Sequence, residues 1–294
     1  MRMSNPALFL TSALIWGSTW LAITYQLGIV APEISVAYRF ALASVCLASW
    51  CAIAGESLRF SRRNHAFLAA FGATLFGLNY VAVYWAERYV PSGLVAVVFS
   101  TIVFMNPIGA HFAFGTPLTM RTLVAAALGV AGVALLFLPE LEAARHGGSA
   151  ALGIAFALGG TVIATIGNLI AVRNHNAGLA TFPTTAWGMA YGTLTAAVVA
   201  TVTGAPWTFD VRVGYVASLV YLAVFGSVVA FGAYLTLLKR IGAGPAAFVN
   251  VIVPVVALLL STLFEGYRWT WVAVLGVLLA VIGNWLALLP ARRK

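Results

Sequence analysis

Long apolar runs broken by short polar segments set the pattern of this chain from end to end. A lipid core about 30 Å thick takes about 20 apolar residues per helix. On that measure the runs predict helices over 6–28, 34–54, 66–86, 91–113, 120–138, 151–172, 181–203, 214–237, 244–264 and 270–289. Membrane β-strands would instead alternate apolar and polar residues over stretches of roughly ten. These runs are continuous, so the expected fold is an all-α integral membrane protein with ten transmembrane helices. The polar intervals 59–65, 139–150 and 204–213 are the longest, and each is too short for a soluble domain. The first run comes after Arg2 as a signal sequence would, but the nine later spans favour a retained helix.

Aromatic and polar residues interrupt these runs in the wrong place for lipid. In "TSALIWGSTWLAIT", residues 11–24, Trp16 lies roughly 15 Å from Pro6 at about 1.5 Å per residue, near mid-membrane. Trp and Tyr prefer the two interfaces. Trp16 and Trp20 share a helix face, and the same spacing recurs in Tyr80 with Tyr84 and Trp187 with Tyr191. Asn79, Ser100, Thr101, Asn106, Thr161, Thr165, Asn168, Tyr234 and Asn250 accompany them.

Each buried indole, phenol or amide needs a partner, because an unpaired polar group in hydrocarbon is costly. Interhelical hydrogen bonds, worth about 0.6 kcal/mol on average, account for many of the Ser and Thr residues. The aromatic set is better explained by a wet central cavity that binds substrate, lined by Trp16, Trp20, Asn79, Tyr80, Tyr84, Ser100, Thr161, Trp187, Tyr191 and Asn250. Such a cavity suits a zwitterion with an apolar side chain, and lipophilic drugs as well. Gly160, Gly188, Gly226, Gly244 and Pro254 are hinge candidates, although small residues also serve static packing.

Composition agrees, with 62% hydrophobic and 8% charged residues and a mean hydropathy of +1.00. The net charge of +9 would raise the question of nucleic acid in a soluble protein; here it reports topology. With a cytoplasmic amino terminus, Arg2, Arg59, Arg62, Arg63, Arg121, Arg173, Lys239, Arg240, Arg292, Arg293 and Lys294 fall inside. Arg39, Arg88, Arg145, Arg212 and Arg268 fall outside, so both termini are expected in the cytoplasm.

The seven acids, Glu33, Glu56, Glu87, Glu140, Glu142, Asp210 and Glu265, all lie in loops or at helix ends. None is placed as an intramembrane carboxylate relay, so a carrier built on this chain would work by facilitated transport or couple through another group such as His111 near the inner end of its span. Arg39, one-third of the way into the second span, could steer a substrate carboxylate, snorkel to the interface or pair with an acid. Cys46 and Cys51 point about 140° apart on a helix and suggest neither a disulfide nor a metal site. No phosphate-binding loop of the Gly-x-x-x-x-Gly-Lys-Ser/Thr type occurs, and no cofactor is implied.

The chain also repeats itself. The segment that begins "VPSGLVAVVFSTIVF" and ends at Pro139 aligns with the one that begins "GAGPAAFVNVIVPVV" and ends at Pro290, at a constant offset of 151. Gly93 meets Gly244, Ala96 Ala247, Gly115 Gly266, Thr119 Thr270, Gly132 Gly283, and Arg88 Lys239. Two copies divide the chain into 1–139 and 140–294. With five helices in each, the second must enter the membrane inverted, the arrangement of transporters that bind substrate near the midplane.

The segments "WGSTWLAI" (16–23), "PEISVAYRFALA" (32–43), "VPSGLVAVVFS" (90–100), the stretch 242–283 and the duplicated Leu-Pro ends resemble the drug/metabolite transporter superfamily, specifically its EamA-type ten-helix members. "VAVYWAERYVPSGLVAVVFSTIVFMNPI" is most similar to the aromatic amino-acid exporter subgroup. The family's Gly-Glu element survives as Glu265-Gly266 but reads Gly115-Thr116-Pro117 in the first copy, so the acid is not expected to be a required group.

The resemblance implies an inner-membrane exporter of aromatic and other neutral amino acids, working by alternating access. The alternatives are export of other small metabolites or lipophilic drugs, or a proton-coupled carrier. A membrane enzyme would need a cluster of catalytic residues at membrane depth, and a channel a continuous polar stripe; neither pattern is present. The implied partners are a small-molecule substrate and the bilayer, with no nucleic acid and no obligate protein partner.

Overall fold

The computed structural model describes residues 3–144, 149–241, 246 and 248–288. Among these, all regular structure is helical. We number the helices α1 (Asn5–Thr24), α2 (Pro32–Ile53), α3 (Arg62–Ala86), α4 (Ser92–Phe114), α5 (Met120–Ala144), α6 (Ala150–Asn176), α7 (Thr181–Val202), α8 (213–241), α9 (Val249–Phe264) and α10 (Trp271–Leu288). Seven are long and apolar enough to cross a membrane, and Met120–Leu136 and Val249–Phe264 are shorter apolar helices. The remaining helix, α7, has the length, but its Thr and Gly residues dilute its hydropathy.

Helix ends depart from the apolar runs where polar residues cap them. α3 starts at Arg62 because Ser61 accepts a hydrogen bond from the Asn64 N–H, holding two arginines in the first turn. Gly115 and Gly266, paired by the sequence offset, both terminate their helices at φ 69°, a left-handed turn that glycine adopts without a Cβ penalty. At the first of these turns His111 Nδ1 lies 2.8 Å from the Thr116 carbonyl, closing the end of α4.

Two helices change winding midway. α3 is a π-helix over Ala73–Leu78 and α8 over Tyr221–Val229. The offset of 151 carries 73–78 onto 224–229, inside the second segment, so the irregularity is repeated in both copies. Extra residues in a helical turn reset the helix face and often mark functional positions. Ser227 fits its segment by donating to the Leu222 carbonyl five residues back, at 3.0 Å.

The helices gather into two compact units, each drawing on both halves of the sequence. Unit 1 comprises residues 1–21, 86–158 and 229–294. In it α4 packs on α9, and α5 on α10. Gly132 and Gly276 make the second pair close: a Cβ on either would sit 2.6 Å from the other's carbonyl oxygen. Unit 2 comprises residues 22–85 and 159–228, with α7 packed against α2 and α3.

Candidate functional site

In unit 1 the aromatic stretch of α1 meets α8 and α9. The Trp16 ring lies 5.1 Å from Phe231, nearly edge-on at 75°, and 5.2 Å from Tyr234. The Tyr234 hydroxyl is hydrogen-bonded to the Asn250 side chain. These residues form an aromatic wall ending in a hydroxyl and an amide, beside the apolar cluster of Leu8, Ala13, Leu237 and Val249. Trp20 packs on Phe99 at 5.4 Å. Ser100 donates to the Val97 carbonyl and accepts from Asn284 Nδ2 at 3.0 Å, tying α4 to α10. Pro254, within α9, lies with Ser100 and Asn284 around a crevice too narrow for water.

The same unit holds a polar clamp between the start of α4 and the end of α9. Glu265 accepts from the Ser92 backbone N–H at 3.1 Å and the Ser92 hydroxyl at 2.5 Å, and the Ser261 hydroxyl also donates to it. Ser261 Oγ accepts from the Gly93 N–H at 2.8 Å. A carboxylate suits this place because helix N-termini present free N–H groups and a positive dipole end.

In unit 2 Trp187 and Tyr191 of α7 converge on the start of α3. Trp187 Nε1 donates to the Leu58 carbonyl at 2.9 Å, its ring meets His65 edge-on at 4.7 Å, and His65 Nδ1 lies 3.1 Å from the Tyr191 hydroxyl. Tyr80 stands 4.7 Å from Phe40, with the Arg39 guanidinium carbon 4.6 Å above its ring. Asn79 is 1% exposed; its Nδ2 donates to the Leu75 carbonyl while Oδ1 has no partner. Tyr84 and Thr161 are fully buried.

At the far end of α3, Glu33 in the first turn of α2 accepts from Trp85 Nε1 at 3.2 Å and the Thr203 hydroxyl at 2.7 Å. The loop acid Asp210 accepts hydrogen bonds from the Arg212 side chain and backbone, which hold its carboxyl below the usual range.

Several of the residues expected to line a cavity meet one another inside their own unit. Trp16 joins Asn250 through Tyr234, Trp187 joins Tyr191 through His65, and Tyr80 joins Arg39. Among the hinge candidates, Gly160 and Gly188 are close-approach positions: an added Cβ would lie 3.3 Å from Ala82 Cβ and 2.6 Å from Phe71, respectively. Gly226 sits inside the second π segment, and Gly244 lies outside the described residues.

His65, Phe231 and Asn284 belong to these clusters although the sequence pattern does not single them out. Only depth marks Asn284, in the middle of an apolar helix. His65 precedes its apolar run and carries no such signal.

Comparison with known proteins is consistent along the whole chain. The profile of the EamA-like transporter family matches twice, over residues 4–138 and 151–289, one copy in each half. "Protein PagO" of Salmonella typhimurium is 23% identical over 98% of this chain and 93% of its own length. The "Uncharacterized inner membrane transporter YedA" of Escherichia coli K12 is 27% identical over 93% of this chain and 89% of its own. A "Probable amino-acid metabolite efflux pump" of the same organism is 24% identical, over 96% and 94%. A solved crystal structure 19% identical to this chain superposes with a TM-score of 0.65, covering 98% of this chain and 97% of that one, which establishes a shared fold. With all-helical architecture, apolar spans and the profile matched in both halves, the chain belongs to the EamA-like transporter family.

Proposed function

We propose that this chain exports amino acids, aromatic and other neutral ones, across the bacterial inner membrane. In this reading two inverted five-helix halves surround a central cavity, open alternately to either side and let substrate run down its gradient. The observation that carries it is the wall of Trp16, Phe231 and Tyr234 ending at Asn250. Stacked rings favour a planar apolar side chain, and the adjoining hydroxyl and amide offer neutral dipoles to a zwitterion. The efflux-pump relative supports the direction and the substrate class, and the YedA relative the membrane.

A second reading, proton-coupled transport, draws on the His65–Tyr191 hydrogen bond, which links two groups able to give and take a proton between α3 and α7. Uptake of labelled tryptophan, phenylalanine, threonine and alanine into proteoliposomes, with and without a pH gradient, tests both. Saturable aromatic uptake that ignores the gradient and falls at least tenfold in Trp16→Ala is the expected result. Flux that tracks the gradient and is abolished in His65→Gln would instead establish coupling, and absence of amino-acid flux would refute the substrate class.

A further inference from the structure

Arg39 sits seven residues past Pro32 in α2, about 10 Å along the helix, and is 2% exposed. Its guanidinium carbon lies 4.6 Å from the Tyr80 ring centre and 5.1 Å from that of Phe40. Nε and Nη1 make no hydrogen bond, and no carboxylate pairs with the side chain among the described residues. Glu33, the acid of the same helix, is occupied by Trp85 and Thr203.

A buried charge without a counterion is expensive, and a guanidinium does not escape the cost by shedding its proton. Snorkelling would leave the tip at the interface, whereas this tip is enclosed. The aromatic rings engage the face of the cation, while its N–H fork lies in its plane. That fork is shaped for two parallel hydrogen bonds to a planar anion. We propose that Arg39 anchors the substrate carboxylate, so that the transported molecules are carboxylates held by the Arg39 N–H edge, with Tyr80 and Phe40 fixing the plane of the guanidinium. This deepens the amino-acid reading and rests on it for the rest of the substrate.

Thermal unfolding of the purified full-length protein in detergent tests the assignment without requiring transport. Each carboxylate is paired with its decarboxylated amine: tryptophan with tryptamine, phenylalanine with phenethylamine, leucine with isoamylamine. The expected result is that at least one carboxylate raises the wild-type midpoint while its amine does not. In Arg39→Gln that preference disappears, and the ligand-free midpoint is unchanged or higher because an uncompensated buried charge is gone. Arg39→Lys keeps the charge but loses the planar fork, so the carboxylate shift should shrink by at least half; this variant and the wild type decide the matter if Arg39→Gln does not fold. No carboxylate-over-amine preference in the wild type, or its survival in Arg39→Gln, would overturn the proposal. A persistent preference in a protein that moves no amino acid in liposomes would refute the amino-acid substrate class and leave the carboxylate anchor at Arg39 standing.

Discussion

Among single residues, the acids show how little their position in the chain reveals of their work. Both Glu33 and Glu265 sit at helix ends, yet each ties separate helices together through hydrogen bonds to a carboxylate, and such bonds contribute about 1.5–3 kcal/mol each. Glu265 is only half-buried, so its three donors regain water when it is removed, and Glu265→Ala should lower unfolding free energy in detergent by about 1–3 kcal/mol rather than by the sum of the three bonds. A cycle with Ser92→Ala should reveal coupling above about 0.5 kcal/mol; additive losses would mean the clamp contributes nothing. Trp187→Phe keeps an aromatic ring but loses the indole N–H that the Leu58 carbonyl accepts, at a cost of about 1 kcal/mol, readable in the same assay. The Asp210–Arg212 pair acts through pH. Because the folded-state pKa of Asp210 lies below its unfolded value, the stabilisation is complete above about pH 4 and is lost as pH falls through the folded value. Asp210→Asn should therefore flatten the acid limb of the stability profile and leave the profile between about pH 5 and 8 unchanged in shape.

Between helices, close contact is set by which glycines have room beside them. Gly276→Val would drive a side chain into the Gly132 carbonyl and the Leu136 backbone. Overpacking of this kind costs about 1–3 kcal/mol or more, and here α5 or α10 must shift as a whole. Gly159 has open space around its Cβ position, so Gly159→Ala should be neutral or stabilise by up to about 1 kcal/mol. Equal losses in the two variants would mean that the α5–α10 contact is not as described.

Helix identities were legible from the apolar runs because lipid demands long uninterrupted stretches; the ends were less so. Residues 62–65 are polar yet helical, since Ser61 capping and solvent satisfy them outside lipid. The π segments left no mark either, because an extra residue in a turn changes hydrogen-bond spacing without changing composition. Trp16 and Asn250 were visible as polar or amphipathic groups at apolar depth, whereas Phe231, which completes their cluster, looks like any other apolar residue.

For the molecule as a whole, the compact units cross the boundary between the repeats: each is assembled from pieces of both copies. Neither half of the sequence is expected to fold to a compact state without the other, and 1–139 expressed alone should be degraded or aggregate, checked by detergent extraction and gel filtration. The charge distribution calls for both termini in the cytoplasm, so a fluorescent reporter fused after Lys294 should light up, while a reporter active only outside the membrane should stay silent.

Carrier-mediated movement of aromatic amino acids down their gradient has a decisive test in counterflow. Liposomes loaded with unlabelled tryptophan are diluted into a trace of labelled tryptophan at equal pH on both sides. A carrier of this kind gives a transient accumulation of label above equilibrium, unaffected by a proton ionophore. Label that enters only to equilibrium, at a rate indifferent to internal tryptophan, would contradict it.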